Sequence, residues 1–494
     1  MPSAGLGFQG IILAGGGGDD KQLFPLSAGT PKALLPVANK PLLSYPLKTL
    51  SDAGLKTAFV IVSGEKASAA ISSWLQTEYP ATTNSALHCE VITVPEDYGT
   101  ADALRSVASK ITASTLVVIS GDLLTDVPVN ALVASHQMHR ALATVMLCPR
   151  KVSPASETKP GKPPKNVDYI GLDLNREHLL FYTSSPDAVR DLKVPLSMIR
   201  ERGAMTISSD LVDAHLYIFD RSLLLTLENQ GSLNSLRQDL MPYLTLQHMK
   251  AANRYAATNA ADSIPVPTSP SMNMMQRQVS VIEGEGGLNG NSGITQNALP
   301  GSNYVDMAHS MPPVGGALSL VSRVPPSGSA SSAPSSLRVH VVQHSNNYCA
   351  RVTSHETFGE VNREVADPNV ALHLSGLRPS KYDNIVATTT TLGNKATVAS
   401  ACIVGENSVL GDKSSIKRSV LGNGIRLGTN AKVINSVLMD NVVVGDNCTV
   451  QNSILATGVQ LKERASVKDC QVGPGYTIPA GVEYKGEVLA KTAK

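Results

Sequence analysis

The chain has 494 residues, enough at ~100–200 residues per domain for two to four domains with cores of their own. Lys and Arg number 42 against 40 Asp and Glu, a formal net charge of +2, so no global field draws the chain to nucleic acid or to an anionic membrane. Aromatic residues make up only 4%, and the six cysteines are dispersed, with no C-x-x-C pair, no signal-peptide pattern and no apolar run of ~20 residues. The expectation is a reduced, cytosolic protein with no direct nucleic-acid partner and no membrane segment.

Residues 1–256 read as one α/β domain. Short apolar runs at 10–14, 58–62, 91–94, 116–119 and 142–147 are bounded by Gly, Pro or Asp. Such runs suit strands buried on both faces of a largely parallel sheet. Leu43, Leu47 and Leu50 recur at helical spacing ahead of Gly54, and Ala101, Leu104, Val107 and Ile111 form a second stripe. Strand alternating with helix predicts a Rossmann-like sheet. From 257 to 336 the apolar period vanishes, Ser, Pro, Gly, Asn and Met accumulate, and six charged residues remain. That composition predicts a disordered low-complexity insertion. Residues 337–391 are then a connecting segment.

Residues 392–494 are repetitive. Val404, Leu421, Leu438, Leu455 and Val472 recur every 17 residues, and Leu410, Leu427, Val444, Leu461 and Ile478 keep step with them, as do Ile416, Val433, Val450 and Val467. Apolar positions at intervals of 6, 6 and 5 predict three short strands per coil and a parallel β-helix of about five coils. Gly405, Gly411, Gly422, Gly428 and Gly445 directly follow ladder residues, where Gly is expected to relieve the backbone at a corner.

The first strand runs into Leu13-Ala14-Gly15-Gly16-Gly17-Gly18, a turn whose backbone amides suit phosphates. It is neither a Walker loop nor a dinucleotide fingerprint, because Asp20, Lys21 and Gln22 stand where the required residues would be. Pro31-Lys32-Ala33-Leu34-Leu35-Pro36-Val37 follows, then Gly99-Thr100-Ala101, and Gly121-Asp122 closes the run at 116–119. Together these segments resemble the nucleoside-diphosphate-sugar pyrophosphorylases. The resemblance implies that Leu13, Gly15, Gly16 and Lys32 contact nucleotide phosphates, that Gly99 and Thr100 contact the base, and that Asp122 holds magnesium. The departures weigh against turnover. The loop from Gly18 to Leu23 is two residues longer than the family's, Gln22 replaces the Arg that grips pyrophosphate, Asp102 replaces a small residue, and no second sugar-phosphate lysine is evident. The eleven histidines all lie at or before His373, which leaves the coils without a base for acyl transfer. His136 and His139, three apart, suit a solvated helix face better than a metal site.

A pyrophosphorylase-like domain with an altered loop, joined to a β-helix, resembles the family of gamma subunits of eukaryotic translation initiation factor 2B, which implies that the coils form a left-handed β-helix. Asp213-Ala214-His215-Leu216-Tyr217, the run 238–244, and Cys349-Ala350-Arg351-Val352 with Asn362-Arg363 carry that resemblance. It implies a non-catalytic subunit of the exchange factor that recharges initiation factor 2 with GTP, with no catalytic residue, no metal ligand and no cofactor of its own. Magnesium and a nucleotide are what the pocket would hold if it were retained. The implied partners are the epsilon subunit, which carries the exchange chemistry on a C-terminal helical domain absent from this chain, the rest of the complex, and initiation factor 2. An active sugar-1-phosphate nucleotidyltransferase and a sugar-nucleotide sensor stand as the alternatives.

Overall fold

The computed structural model describes residues 7–15, 23–79, 87–150, 167–184, 192, 194, 204–248, 336–342 and 347–491. The insertion proposed for 257–336 therefore lies outside the described residues, apart from its last one, as do Gly16 and the loop around Asp19, Asp20 and Gln22. Among the described residues no helix is long and apolar enough to cross a membrane.

The N-terminal part is built on a seven-stranded sheet. Its strands are β1 (Phe8–Leu13), β2 (Thr57–Ser63), β3 (His88–Val94), β4 (Thr115–Ser120), β6 (Ala141–Pro149), β7 (Leu211–Asp220) and β8 (Ser336–Val341), while β5 (Leu123–Thr125) lies outside it. The spatial order is β8-β6-β7-β4-β1-β2-β3. Pairing is parallel between β1 and β4, β1 and β2, β2 and β3, and β6 and β8; only β7 runs against its neighbours. Successive β1 residues face opposite ways: Ile11 and Leu13 join one apolar layer, Ile12 the other, and all three are buried. A sheet covered on both faces explains the unbroken apolar runs in the sequence. Helices α1 (Ser44–Asp52), α2 (Glu65–Thr77), α3 (Thr100–Ser106) and α4 (Val129–Met138) connect the strands. His136 on α4 is 3% exposed and pairs through Nδ1 with Thr144 Oγ1 at 2.9 Å. The expected solvated face is therefore corrected. His136 packs inward against the sheet, and only His139, at the end of α4, is exposed.

The segment expected to be only a connection is structural on both sides. Its first residues form edge strand β8, and β9 (Cys349–Arg351) pairs antiparallel with β5, with Arg351 opposite Leu123. Ser354 then caps α5 (His355–Val365) by accepting the Thr357 amide proton at 3.2 Å, and the Thr357 hydroxyl oxygen accepts the Ser354 amide at 2.8 Å.

The coils begin at Ile385, ahead of the 392 boundary expected from the repeat, and their last strand is Val488–Leu489. They form three parallel sheets of seven, six and six strands, so six turns are present where the sequence suggested about five. The first turn spaces Val386, Leu392, Val398 and Val404 evenly at six, and Ile385 pairs with Ile403; from Ile403 onward the 17-residue step holds. Val404, Leu421, Leu438, Leu455 and Val472 all point inward and are buried, and Leu438 stacks between Leu421 and Leu455.

The corner glycines act differently from the expectation. Gly405, Gly411, Gly422, Gly428 and Gly445 do not have positive φ; a Cβ on Gly411 would sit 2.6 Å from the Gly428 carbonyl of the next coil. Glycine is needed there for close approach of coil to coil. The left-handed seats lie two residues further on, at Asn407, Asn430 and Asn447, where φ is 53°, 55° and 56°. Asn tolerates that region better than most side chains. Pattern reading also missed a polar ladder. Ser419, Ser436 and Ser453 are buried at the third corner, and each Oγ accepts the amide proton one coil on, from Ser436, Ser453 and Cys470 at 3.1, 3.2 and 3.1 Å.

Candidate functional site

Parallel sheets place ligand sites beyond the carboxyl ends of their strands, and β1 and β4 end side by side here. The Gly121 amide donates to Leu13 O at 2.8 Å, and the Ala14 amide to Ile61 O at 2.8 Å. A Cβ on Gly15 would fall 2.4 Å from the Ser63 backbone nitrogen, so this glycine is required by packing against β2. Pro31 precedes a short 3-10 turn, Lys32–Leu34, that aims Lys32 at the same point.

Leu13, Gly15, Lys32, Thr100 and Asp122, five of the residues singled out from the sequence, meet around one cavity of about 60 Å³. Gly99 is not part of its lining, and Gly16 falls outside the described residues. His215 and Arg351 complete the wall, and sequence reasoning gave neither a role in the site. His215 stands in a left-handed turn of β7 (φ 54°), where Asp213 Oδ1 accepts the His215 amide at 2.7 Å and Asp213 Oδ2 accepts the Tyr217 hydroxyl at 2.5 Å. Burial, then the charge of Arg351, push the His215 pKa well down, so the ring is neutral, and its buried Nε2 has no hydrogen-bond partner among the described residues.

Asp122 is 4% exposed and both of its oxygens are occupied. Oδ1 accepts from Ser120 Oγ at 2.6 Å and from Arg351 Nε at 3.0 Å; Oδ2 accepts from Lys32 Nζ at 2.8 Å and from Arg351 Nη2 at 3.0 Å. The Arg351 fork is bidentate, the strongest common geometry for a carboxylate. Burial by itself would raise the Asp122 pKa, but the charges of Arg351 and Lys32 outweigh it and hold the carboxyl far below the usual range. A magnesium ion does not fit this arrangement, because it would have to displace one cation and sit beside another on a carboxylate with no open oxygen. Among the described residues no three His, Cys, Asp or Glu side chains converge as a metal site.

The loop expected to contact a base is likewise engaged by the protein. A Cβ on Gly99 would lie 2.1 Å from Asn234 O, the Ala101 amide donates to that same oxygen at 2.8 Å, and Thr100 Oγ1 accepts the Leu236 amide at 2.8 Å. Asp239 Oδ2 holds that loop by accepting the Asn234 and Ser235 amides at 3.0 and 2.8 Å. Asp102, at the position of the family's small residue, accepts the Gly99 amide at 3.1 Å and pairs with Arg105. Substituent by substituent, groups suited to a nucleotide are satisfied by other parts of the chain.

The same stretch of sequence serves the β-helix. Asn39 Nδ2 donates to Leu421 O at 2.8 Å, Ala38 N donates to Asn362 Oδ1 at 2.9 Å, and Lys40 Nζ donates to Ser375 O at 2.6 Å. Phe358, Val361 and Val365 of α5 pack in one buried cluster with Val37, Leu42 and the outward faces of Val420, Val437 and Ile454. The motif around Lys32 thus feeds directly into the seat of the coils.

Comparison with known proteins adds the same two halves. Residues 9–157 match the nucleotidyl transferase family, and 382–484 match the eIF2B subunit epsilon LbH domain, a left-handed β-helix. Translation initiation factor eIF2B subunit gamma of Dictyostelium discoideum is 24% identical over 434 residues, covering 84% of this chain and 87% of that protein. The chain is thus similar to an eIF2B gamma subunit along most of its length. The gamma subunit of Schizosaccharomyces pombe is 31% identical over 247 residues, covering 49% of this chain, and the match spans about half of that relative, 52% of its length. The epsilon subunit of the same yeast is 23% identical over 223 residues, covering 44% of this chain and 32% of that protein.

Proposed function

We propose that this chain is a non-catalytic gamma-type subunit of the guanine-nucleotide exchange factor that returns translation initiation factor 2 from its GDP-bound to its GTP-bound form. In this reading it works in the cytosol, beside an epsilon subunit and the remainder of the complex, and carries no cofactor. The observation that supports the non-catalytic part is the state of Asp122. The carboxylate that would hold the metal of a nucleotidyl transfer is bound on both oxygens by Arg351, Lys32 and Ser120. Developing charge on a transferred phosphoryl group needs preorganised, available partners, and here those partners are already paired with one another. Similarity to eIF2B gamma subunits supports the assembly part.

Two measurements test the reading. Purified chain should capture an eIF2B epsilon subunit and form with it an assembly that accelerates GDP release from initiation factor 2, while the chain alone should not. Pyrophosphate release from GTP, ATP or UTP with common sugar 1-phosphates should stay at background. Steady turnover of any of these would favour the active nucleotidyltransferase; ligand binding without turnover and without capture of epsilon would favour the sensor.

A further inference from the structure

We propose that Arg351 is the resident cation of the sheet-end site: it stands against Asp122 where a nucleotidyltransferase carboxylate faces a metal, and so turns that carboxylate from a metal ligand into a tether for the coils. Three observations meet here. The first is the saturation of Asp122, with Arg351 on both oxygens at 3.0 Å across 229 residues of sequence. The second is that backbone and side chain act together. The Val352 amide donates to Asp122 O at 3.1 Å, and Arg351 lies opposite Leu123 in the β5–β9 pair, so one short strand is held to the Asp122 turn at three points. The third is what that strand leads to. Two residues after Val352 comes the Ser354 cap, and α5 then carries Phe358 and Val361 into the cluster shared with Val420, Val437 and Ile454 of the coils. A Cβ at Gly359 would stand in ordinary van der Waals contact with Ile454 Cδ1, at 3.6 Å.

The physical logic is substitution of one cation by another. A buried carboxylate needs compensating charge. A metal supplies it as a diffusible ion whose stabilisation depends on its concentration, whereas a guanidinium supplied by the chain is always present and directional. The site thereby loses dependence on divalent ions and gains a covalent connection to α5. The inference stands apart from the subunit reading, since a chain that joined no exchange factor would still carry it.

The test uses the full chain. Manganese binding is followed by electron paramagnetic resonance, with Asp122→Asn as the reference, and thermal unfolding is compared in EDTA and in excess magnesium. Hydrogen exchange is then read peptide by peptide in the wild type, Asp122→Asn, Arg351→Gln and Arg351→Lys. Expected results are no manganese signal that depends on Asp122 and no shift in melting temperature with magnesium. Exchange across 349–365 should be at least about tenfold faster in Asp122→Asn and Arg351→Gln, with Arg351→Lys between them and the wild type. The β2–β3 pair should keep its wild-type protection in all three variants. An Asp122-dependent manganese site in the wild type, or unchanged exchange across 349–365 in a folded Asp122→Asn chain, would overturn the proposal. If the substitutions prevent folding, the manganese and magnesium measurements on the wild type still decide it.

Discussion

The β-helix and the sheet-end site solve the same problem, burial without loose ends, by opposite routes. In the coil interior each partner is one turn away. Leu438 meets Leu421 and Leu455, Ser436 Oγ meets the Ser453 amide, and each contact repeats 17 residues on. At the sheet end nothing repeats. Asp122 draws on Lys32 from 90 residues before and Arg351 from 229 residues after, and His215 enters from a third direction. A repeated local rule tolerates a weak member, because its neighbours supply most of the stacking. A single convergence of distant charges has no such repeat, and removing Asp122 takes away the carboxylate that Arg351 and Lys32 share.

The sharpest way to break this comparison is to put an unpaired charge inside the repeat. Leu438→Asp would bury a carboxylate between two aliphatic layers and leave a gap besides; we expect a loss of about 5 kcal/mol or more in a urea titration. If Leu438→Asp melted like the wild type, the inward register would be wrong. Somewhat smaller is Phe358→Ala, at a side chain buried where α5 meets the coils. It should cost about 3–4 kcal/mol, and limited proteolysis should then cut first between β9 and Ile385. Cleavage within the coils instead would show that α5 does not hold them. Residues 1–255 alone would lack both edge strand β8 and Arg351, so that fragment should be markedly less stable than the N-terminal part within the whole chain.

A pH series sharpens the contrast, because the coils contain no histidine, whereas among the described residues outside them burial lowers the pKa of His136, His215, His340 and His355. Burial pushes the His136 pKa down to about 4, with a weaker opposing pull from Asp220. The unfolded chain therefore binds the proton first, near the unperturbed ~6.5, and the folded one only near 4. Stability is full above that window and falls as the pH drops through it, by about 2–4 kcal/mol for this group. His136→Asn should flatten part of that slope, leaving the shares of His215, His340 and His355; an unchanged slope would remove His136 from the explanation. The smallest effect is expected at Asn441, exposed at a corner with φ 58°, a conformation that Asp also tolerates. Asn441→Asp should stay within about 0.5 kcal/mol of the wild type, and a larger loss would mean that the corners carry more than turn geometry.

Much of the coil region is legible in the sequence, because a period of 17 is a local signal and parallel stacking turns sequence spacing directly into contact. Even there the doublets Ile403-Val404, Val420-Leu421 and Val437-Leu438 hold information that spacing cannot interpret. The second residue of each pair faces the coil interior, whereas the first is buried only because α5 and the N-terminal part cover that outer face. On one of the other two sheets the corresponding outward positions include exposed Val409 and Val443. One apolar ladder is a property of the coil; two on the same sheet are a property of what packs against it.

By itself the sequence determined the Rossmann-like sheet and the parallel coils, because strand pattern, turn chemistry and repeat period act over a few residues at a time, and its family resemblance pointed to Leu13, Gly15, Lys32, Thr100 and Asp122, which gather at the ends of β1 and β4. Only the tertiary structure decided what that gathering amounts to. Lys32 and Asp122 read as nucleotide ligands so long as Arg351, far away in sequence, is not known to reach them. Thr100 and Gly99 read as a base-binding loop so long as Asn234 and Leu236 are not known to fill it. Charge pairing and the occupation of a cavity depend on which distant segments arrive in the same few ångströms, and a buried carboxylate changes from ligand to tether when the cation facing it belongs to the chain.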